Sequence, residues 1–187
     1  MRLRTLVTVM AITAFLRPAT ALAQNREPAA GAVAIGGDVG LMVADDTFHV
    51  GFTPAVTAEF YLTDRTSIRL LGGWSRNRYV GTIDRYQEQY RGALNVVYNW
   101  EAELWHPFVA AGVGAHRVRA WQDDVENSGW DTRLGLSAGG GVEYFARPKV
   151  TIKVEGLYHW VAGADNELGP RDEASGFVIS IGLKKYF

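Results

Sequence analysis

Large apolar side chains occupy every second position over most of the chain, and small, polar or charged residues fill the positions between them. The final twelve residues, GFVISIGLKKYF, show the pattern clearly, because Phe177, Ile179, Ile181, Leu183 and Phe187 share one parity. Successive side chains of a β-strand point to opposite faces, so a period of two residues predicts strands. No comparable helical periodicity is present, and the pattern therefore predicts an all-β protein.

Polar breaks divide the pattern into eight alternating runs. Each run reaches the roughly 9–11 residues with which a tilted strand crosses a bilayer. The breaks alternate between tight turns, at Thr63–Thr66 and Arg147–Lys149, and longer loops, the longest being Gln122–Asp131 and Gly163–Ser175. Short turns at one rim and longer loops at the other are typical of an outer-membrane barrel. The predicted strands are Ala32–Ala44, Gly51–Leu62, Ser67–Val80, Tyr86–Trp100, Pro107–Trp121, Thr132–Ala146, Val150–Ala162 and Gly176–Phe187.

The two faces of these strands differ in chemistry, and glycine indicates which one points inward. Glycine weakens a strand and brings no benefit on a face exposed to water. The narrow interior of an eight-stranded barrel, in contrast, cannot hold a large side chain at every position and needs glycine between the large ones. The charged face carries Gly36, Gly40, Gly73, Gly112, Gly114, Gly135, Gly139, Gly141 and Gly182. We therefore expect the apolar face to contact lipid and the charged face to line the lumen.

Buried charges must be paired, and the inward face carries a balanced set of acids and bases. The sequence predicts a lumen charge network of Asp38, Glu59, Arg69, Arg91, Arg133, Glu143, Lys153 and Glu155, with Lys184 as a further candidate. On the apolar face, aromatic residues flank an aliphatic band on both sides, as they do at the two interfaces of a membrane. These rings are Phe60, Tyr98, Trp100, Tyr144 and Phe187 near the turns, and Trp74, Tyr90, Tyr158, Trp160 and Phe177 near the loops.

GFVISIGLKKYF resembles the C-terminal signal of bacterial outer-membrane barrels, and PFVAAGVGAHRV and ALNVVYNW resemble strands of the small opacity-type and outer-membrane-protein-A-type barrels. The resemblance implies an eight-stranded, antiparallel, up-and-down transmembrane β-barrel in the bacterial cell outer membrane. It also implies that the barrel assembly machinery reads a signal made of Ile179, Ile181, Leu183 and Phe187. Lys185 departs from the signal, which usually has an apolar residue at that position.

The N-terminal segment is predicted to direct export. Residues 1–23 combine the basic start MRLR, the apolar run TLVTVMAITAFL and an Ala-x-Ala site at Ala21 and Ala23, which together indicate a signal peptide. An N-terminal anchor helix is the alternative. Residues 24–31 are expected to form a flexible leader, and residues 32–187 the barrel domain. The chain contains no cysteine for a disulfide, and its net charge of -1 gives no reason to expect a nucleic-acid partner.

The sequence gives no clear catalytic or metal site, and we expect no cofactor. The four histidines, His49, His106, His116 and His159, lack zinc-ligand spacing. Acyl transfer by a barrel enzyme needs a serine beside a histidine, and Ser137 and Ser180 have no histidine beside them in the sequence. His159 shares a face with Glu155 and Lys153, so we expect it to be a paired lumen residue. A lipid-modifying enzyme of the lipid A deacylase type and a soluble lipocalin-like ligand carrier remain as alternatives.

Four arginines continue the outward face beyond the apolar band: Arg76, Arg78, Arg117 and Arg119. In an outer membrane this height would meet the phosphates of lipopolysaccharide, which arginine binds in a bidentate manner. Ion pairs with Asp84, Glu88 or Asp123 are the alternative. The expected function is therefore structural or surface-interacting, through the two longest loops, for a monomer whose partners are outer-membrane lipids.

Overall fold

The computed structural model describes residues 28–44, 49–80, 85–100, 102, 104–122, 125–126, 129–162, 165–166, 169–170 and 175–187. The predicted signal peptide lies outside these ranges. Within them, no helix is long and apolar enough to span a membrane. The long strands, in chain order, are β1 (Val33–Ala44), β2 (Gly51–Tyr61), β3 (Thr66–Arg78), β4 (Arg85–Asn99), β5 (Trp105–Gln122), β6 (Asp131–Arg147), β7 (Val150–Val161) and β8 (Gly176–Tyr186).

Each strand pairs antiparallel with the next one in the chain, and the last strand returns to the first. The β8–β1 ladder runs without a break from Ala34↔Tyr186 to Ala44↔Gly176. This pairing closes the sheet and leaves no strand edge unpaired. The prediction of an eight-stranded, antiparallel, up-and-down barrel is therefore confirmed.

The strand ends define two rims. The turn rim carries both termini of the barrel together with the β2–β3, β4–β5 and β6–β7 connections, and the loop rim carries the other connections. All strand boundaries lie within two residues of the predicted ones. The largest differences, of two residues, are at the end of β3 and at the start of β5, which begins at Trp105 because Trp105 and His106 already pair with Tyr144 and Glu143 of β6. Pro107 has no N–H to donate, but its carbonyl accepts a hydrogen bond from Trp100 N at 2.8 Å, so the ladder continues through it.

The two faces point as the sequence predicts. Leu136 is 53% exposed and Val154 is 46% exposed, whereas their neighbours Ser137 and Glu155 are 4% and 3% exposed. The outward face of every long strand is mostly apolar and exposed, and the inward face carries the buried polar and charged side chains together with smaller apolar clusters, such as the one around Val97, Phe108 and Leu157. A soluble barrel would bury its apolar face, and the lipocalin-like alternative therefore conflicts with the structure.

The inward glycines are required by close contacts across the lumen and between strands. A Cβ atom built at any of the inward glycines named above would lie within 3.0 Å of a neighbouring atom. At Gly112 it would meet the carbonyl oxygen of Leu94 and the side chain of Asn95. Glycine also occurs on the outward face, and at Gly92 an added Cβ would have no neighbour within 4 Å. Not every outward glycine is open, because a Cβ at Gly156 would lie 2.8 Å from the Phe177 ring, and the sequence pattern alone could not separate the crowded glycines from the open ones.

Candidate functional site

The lumen near the turn rim is filled by a charge network centred on Arg69 of β3. Its Nε lies 3.1 Å from Glu59 Oε2, and its Nη1 lies 2.6 Å from Glu155 Oε1. Its Nη2 lies 3.8 Å from Glu143 Oε1. These side chains are at most 2% exposed. One guanidinium therefore joins carboxylates from three other strands inside the barrel.

Two lysines complete the network. Lys153 Nζ lies 3.1 Å from Asp38 Oδ2 and 2.7 Å from Glu155 Oε2. Lys184 Nζ lies 2.9 Å from Glu59 Oε2 and also contacts Glu143. Every carboxylate of the network thus has at least one cation beside it, as a buried charge requires. Lys184, only a further candidate on sequence grounds, is an integral member.

Aromatic rings close the network at the turn rim. Tyr186 donates its hydroxyl to Glu143 Oε2 at 2.7 Å, and Lys184 Nζ donates to the Tyr61 hydroxyl at 3.2 Å. The two tyrosine hydroxyls are 3.2 Å apart, and Phe145 stacks on Tyr186 with a ring-centroid distance of 5.4 Å. The charged layer is therefore separated from the turn rim by a layer of packed rings.

The structure does not bring the other two predicted members, Arg91 and Arg133, into direct contact with this network. Arg91 Nη2 donates to Thr53 Oγ1 at 2.7 Å, while its Nε and Nη1 have no hydrogen-bond partner in the described part of the chain. Arg91, Asp38 and Glu155 all line a small internal cavity of about 10 Å³. Arg133 pairs with Asp131 instead, near the loop rim. Parity correctly put both residues on the inner face, but their height along the barrel is set by strand stagger.

Two histidines, His116 and His159, lie above the network, and His159 does not form the pair expected from the sequence. Lys153 is taken by Asp38 and Glu155, and both ring nitrogens of His159 lack a hydrogen-bond partner among the described residues. The His159 ring instead lies 5.8 Å from that of His116, whose Nδ1 is 2.6 Å from Gln89 Nε2. His159 therefore lies in the lumen as predicted, but the prediction that it is paired there is wrong for the described residues.

Ser137 does have a histidine beside it, which sequence reasoning missed because the neighbour comes from another strand. Ser137 of β6 stands opposite His159 of β7 in the ladder. Its hydroxyl nevertheless donates to Asn95 Oδ1 at 2.6 Å, and both Ser137 and His159 are buried in the lumen. Acyl transfer needs a hydrogen bond from the serine to the base, and this pair does not make one.

On the outward face near the loop rim, Glu88 of β4 accepts hydrogen bonds from several side chains. Trp74 Nε1 donates to it at 2.9 Å, Trp121 Nε1 at 3.2 Å and Arg119 Nε at 2.7 Å. Arg119 also lies 4.3 Å from the centroid of the Trp121 ring. Of the four predicted phosphate-binding arginines, Arg119 therefore forms the ion pair that the sequence left as the alternative. Asp84 and Asp123, the other acids in that alternative, lie outside the described residues.

Of the remaining three arginines, Arg76 and Arg117 stack on aromatic rings, and Arg78 lines an open groove. The guanidinium of Arg76 lies 3.4 Å from the ring centroid of Tyr86, and that of Arg117 lies 4.7 Å from that of Trp130. Arg76 and Arg78 line an open groove of about 610 Å³ on the outer surface, together with Phe52, Trp74 and His49. The structure thus divides the predicted arginine set into a groove and an aromatic cluster.

The two longest loops, predicted as interaction surfaces, are described only in part. Residues 125–126 pair antiparallel with Trp121 and Gln122, the last two residues of β5. In the last loop, residues 165–166 pair with residues 169–170. The residues of the predicted assembly signal lie along β8 and at its C-terminal end. They point outward and are 51–62% exposed: Ile179, Ile181, Leu183 and Phe187. Lys185 Nζ lies 5.0 Å from the Phe187 ring centroid.

Known proteins resemble this chain in both sequence family and fold. No curated relative matches the sequence. Among solved structures, the outer membrane protein OprG of Pseudomonas aeruginosa covers 87% of this chain and 98% of its own, with a TM-score of 0.67 and 14% identity. Neisserial surface protein A covers 83% and 96%, with a TM-score of 0.63 and 17% identity. The N-terminal β-barrel domain of OprF from Pseudomonas aeruginosa covers 84% and 98%, with a TM-score of 0.58 and 14% identity.

These likenesses concern the fold, since all three identities are low. The family assignment comes from a model of the outer membrane protein β-barrel domain, which matches residues 7–184. That range includes the first seven long strands completely and all of β8 except its last two residues. With its closed eight-stranded sheet, apolar exterior and charged interior, the chain belongs to the outer membrane protein β-barrel domain family.

Proposed function

We propose that the protein is a non-conducting integral barrel of the outer membrane whose role is structural and surface-interacting. The observation that carries this proposal is the Arg69 network, which spans the lumen from β3 to β7. Eight strands leave an interior only wide enough for side chains. The buried ion pairs and the aromatic layer below them leave no open passage there, so function is assigned to the outer surface and the loop rim.

The geometry of the buried polar residues supports a role without catalysis. Ser137 and His159 stand opposite each other in the β6–β7 ladder, but they lack the hydrogen bond that an acyl-transfer pair requires. Both residues are also covered by the barrel wall, since they are 4% and 1% exposed. A lipid substrate on the outer surface would not reach them.

Insertion would place both termini of the barrel in the periplasm and the loop rim outside the cell. The short turns at the turn rim and the outward apolar signal of β8 support this orientation and recognition by the barrel assembly machinery. A closed sheet also leaves no strand edge to pair with a second copy. We therefore propose a monomer that contacts outer-membrane lipids directly.

Three measurements on the intact protein test the proposal. Folded barrel should show heat-modifiable gel mobility, and protease added to whole cells should cut only at the loop rim. Recordings from planar bilayers should show no discrete conductance steps. Discrete steps would contradict the closed lumen, and recovery in the soluble periplasmic fraction would contradict the membrane location. Mass analysis of lipid A from cells with and without the protein should show no difference, and any change in acylation would instead support the enzyme.

A further inference from the structure

The groove between the loop-rim ends of β2, β3 and β4 combines exposed cations with exposed apolar surface. Arg76 and Arg78 lie along one side of it. On the neighbouring strand side, Val50 and Phe52 are 56% and 54% exposed. Phe52 stands directly opposite Arg76 in the β2–β3 ladder. A ligand seated here would therefore meet positive charge on one side and hydrocarbon on the other.

The positive charge in the groove is not neutralised by a described carboxylate. Glu88 faces Arg76 across the β3–β4 ladder, but its oxygens accept from Trp74, Trp121 and Arg119 instead. Arg119 lies 2.7 Å from Glu88 in that ion pair. Arg76 and Arg78 make no ion pair with any acid in the part of the chain that is described. Two guanidinium groups that line one groove without an ion pair to a described acid indicate an anionic ligand.

The stacking of Arg76 prepares it for such a ligand. Its guanidinium lies over the Tyr86 ring at 3.4 Å from the centroid, so the face of the group is covered by the ring. The N–H groups of a guanidinium point outward in its own plane, and they remain available when the face is stacked. A stacked guanidinium has also lost part of its rotational freedom, which lowers the entropy lost on binding.

We propose that this groove binds the phosphate headgroup of a phosphorylated lipid in the outer leaflet. Arg76 and Arg78 donate to the phosphate oxygens, and an acyl chain of the same lipid packs on Phe52 and along the apolar outer wall. The inference rests on the proposed function, because it requires the loop rim to lie at the outer leaflet. A soluble anion would use the arginines but would leave the apolar half of the groove exposed, so the amphiphile is the occupant that fits both halves.

The test uses folded barrel in phosphatidylcholine nanodiscs that contain a small fraction of either bisphosphorylated lipid A or lipid A stripped of its phosphates. Native mass spectrometry then measures which lipid stays bound when the nanodisc is removed. Wild-type protein should retain the phosphorylated form at least about tenfold better, since hydrogen bonds between charged groups contribute that much each. Arg76→Gln/Arg78→Gln should lose this preference.

A matched variant controls for the loss of charge itself. Arg147→Gln/Lys149→Gln removes the same charge from two exposed cations at the turn rim, outside the groove, and it should retain the phosphorylated lipid like the wild type. Equal retention of the two lipids by the wild type would overturn the inference, as would equal losses in the two double variants. Full displacement of the lipid by millimolar inorganic phosphate would show a simple anion site and would overturn it as well.

The same samples separate this inference from the proposed function. Heat-modifiable mobility reports whether each barrel is folded and inserted, independently of which lipid it retains. A folded, inserted barrel without lipid preference contradicts the groove assignment alone. A chain that stays soluble in every sample contradicts the outer-membrane barrel role itself.

Discussion

The guanidinium of Arg69 on β3 lies 2.6 Å from the carboxylate of Glu155 on β7, a strand on the opposite side of the barrel. The pair is fixed by closure of the sheet, since 86 residues of chain separate its members. It also joins two further ion pairs, because Glu155 binds Lys153 and Arg69 binds Glu59. The lumen is thereby tied together across its width.

Replacing Arg69 with Met should destabilise the barrel strongly. The substitution leaves Glu59 and Glu155 buried with less compensation, and loss of one partner of a buried ion pair typically costs about 3–5 kcal/mol. Urea unfolding in lipid vesicles, followed by tryptophan fluorescence, measures the effect. Arg147→Met, at an exposed position near the turn rim, is the control and should change stability by less than about 0.5 kcal/mol. Equal effects of the two variants would contradict the proposed importance of the network.

The two adjacent lysines of β8 test whether its inward and outward faces are assigned correctly. Lys184 is buried between Glu59 and Glu143, whereas Lys185 is exposed and lies over the Phe187 ring. Lys184→Met should therefore lower the free energy of unfolding by about 3 kcal/mol or more. Lys185→Met should change it by less than about 1 kcal/mol, because an exposed cation–ring contact contributes little. A larger loss at Lys185 would mean that the inward and outward faces of β8 are exchanged.

Two glycines distinguish a crowded interior from an open exterior. Alanine at Gly112 would put a methyl group against the backbone of Leu94, so Gly112→Ala should destabilise by about 1–3 kcal/mol. At Gly92, on the outward face, the methyl group meets nothing within 4 Å. Gly92→Ala should be neutral or stabilise by up to about 1 kcal/mol, since alanine loses less backbone entropy on folding. The same vesicle unfolding assay compares them, and a tolerated Gly112→Ala would count against tight packing in the lumen.

Because the chain contains no cysteine, single-cysteine variants can report on each face. A spin label at Leu136, which is 53% exposed, should be broadened by lipid-soluble oxygen in an inserted barrel. A label at Ser137, which is 4% exposed, should be protected. The reverse pattern of accessibility would refute the assignment of the apolar face to lipid.

Glu88 should matter for the outer surface but less than the lumen charges do. Glu88→Gln removes the charge that holds Arg119 while keeping an oxygen for the indole N–H groups of Trp74 and Trp121. We expect a loss of about 1 kcal/mol, since the pair is partly exposed and screened by solvent. A change in tryptophan emission should accompany it, because Trp74 and Trp121 both lose a charged acceptor. A loss as large as that for Arg69→Met would show that this cluster is a second stability centre.

The sequence by itself determined the strands, the faces and the order of the barrel. A two-residue period is a local property, so the sequence around Leu136 and Ser137 is enough to assign them to opposite faces of their strand. The polar breaks fix where each strand ends, and short connections between antiparallel neighbours leave up-and-down pairing as the simplest order. Even the position of Trp105 in β5 differs from the prediction by only two residues.

Only the tertiary structure decided which inward charges meet. Lys184 and Glu59 are 125 residues apart, and Lys153 and Asp38 are 115 apart, so their contacts depend on the stagger of non-adjacent strands. The same stagger places Arg91 above the network and Arg133 beside Asp131, although parity gives both the same face. Parity reports direction but not height, because height accumulates through the registers of all the strands that close the barrel.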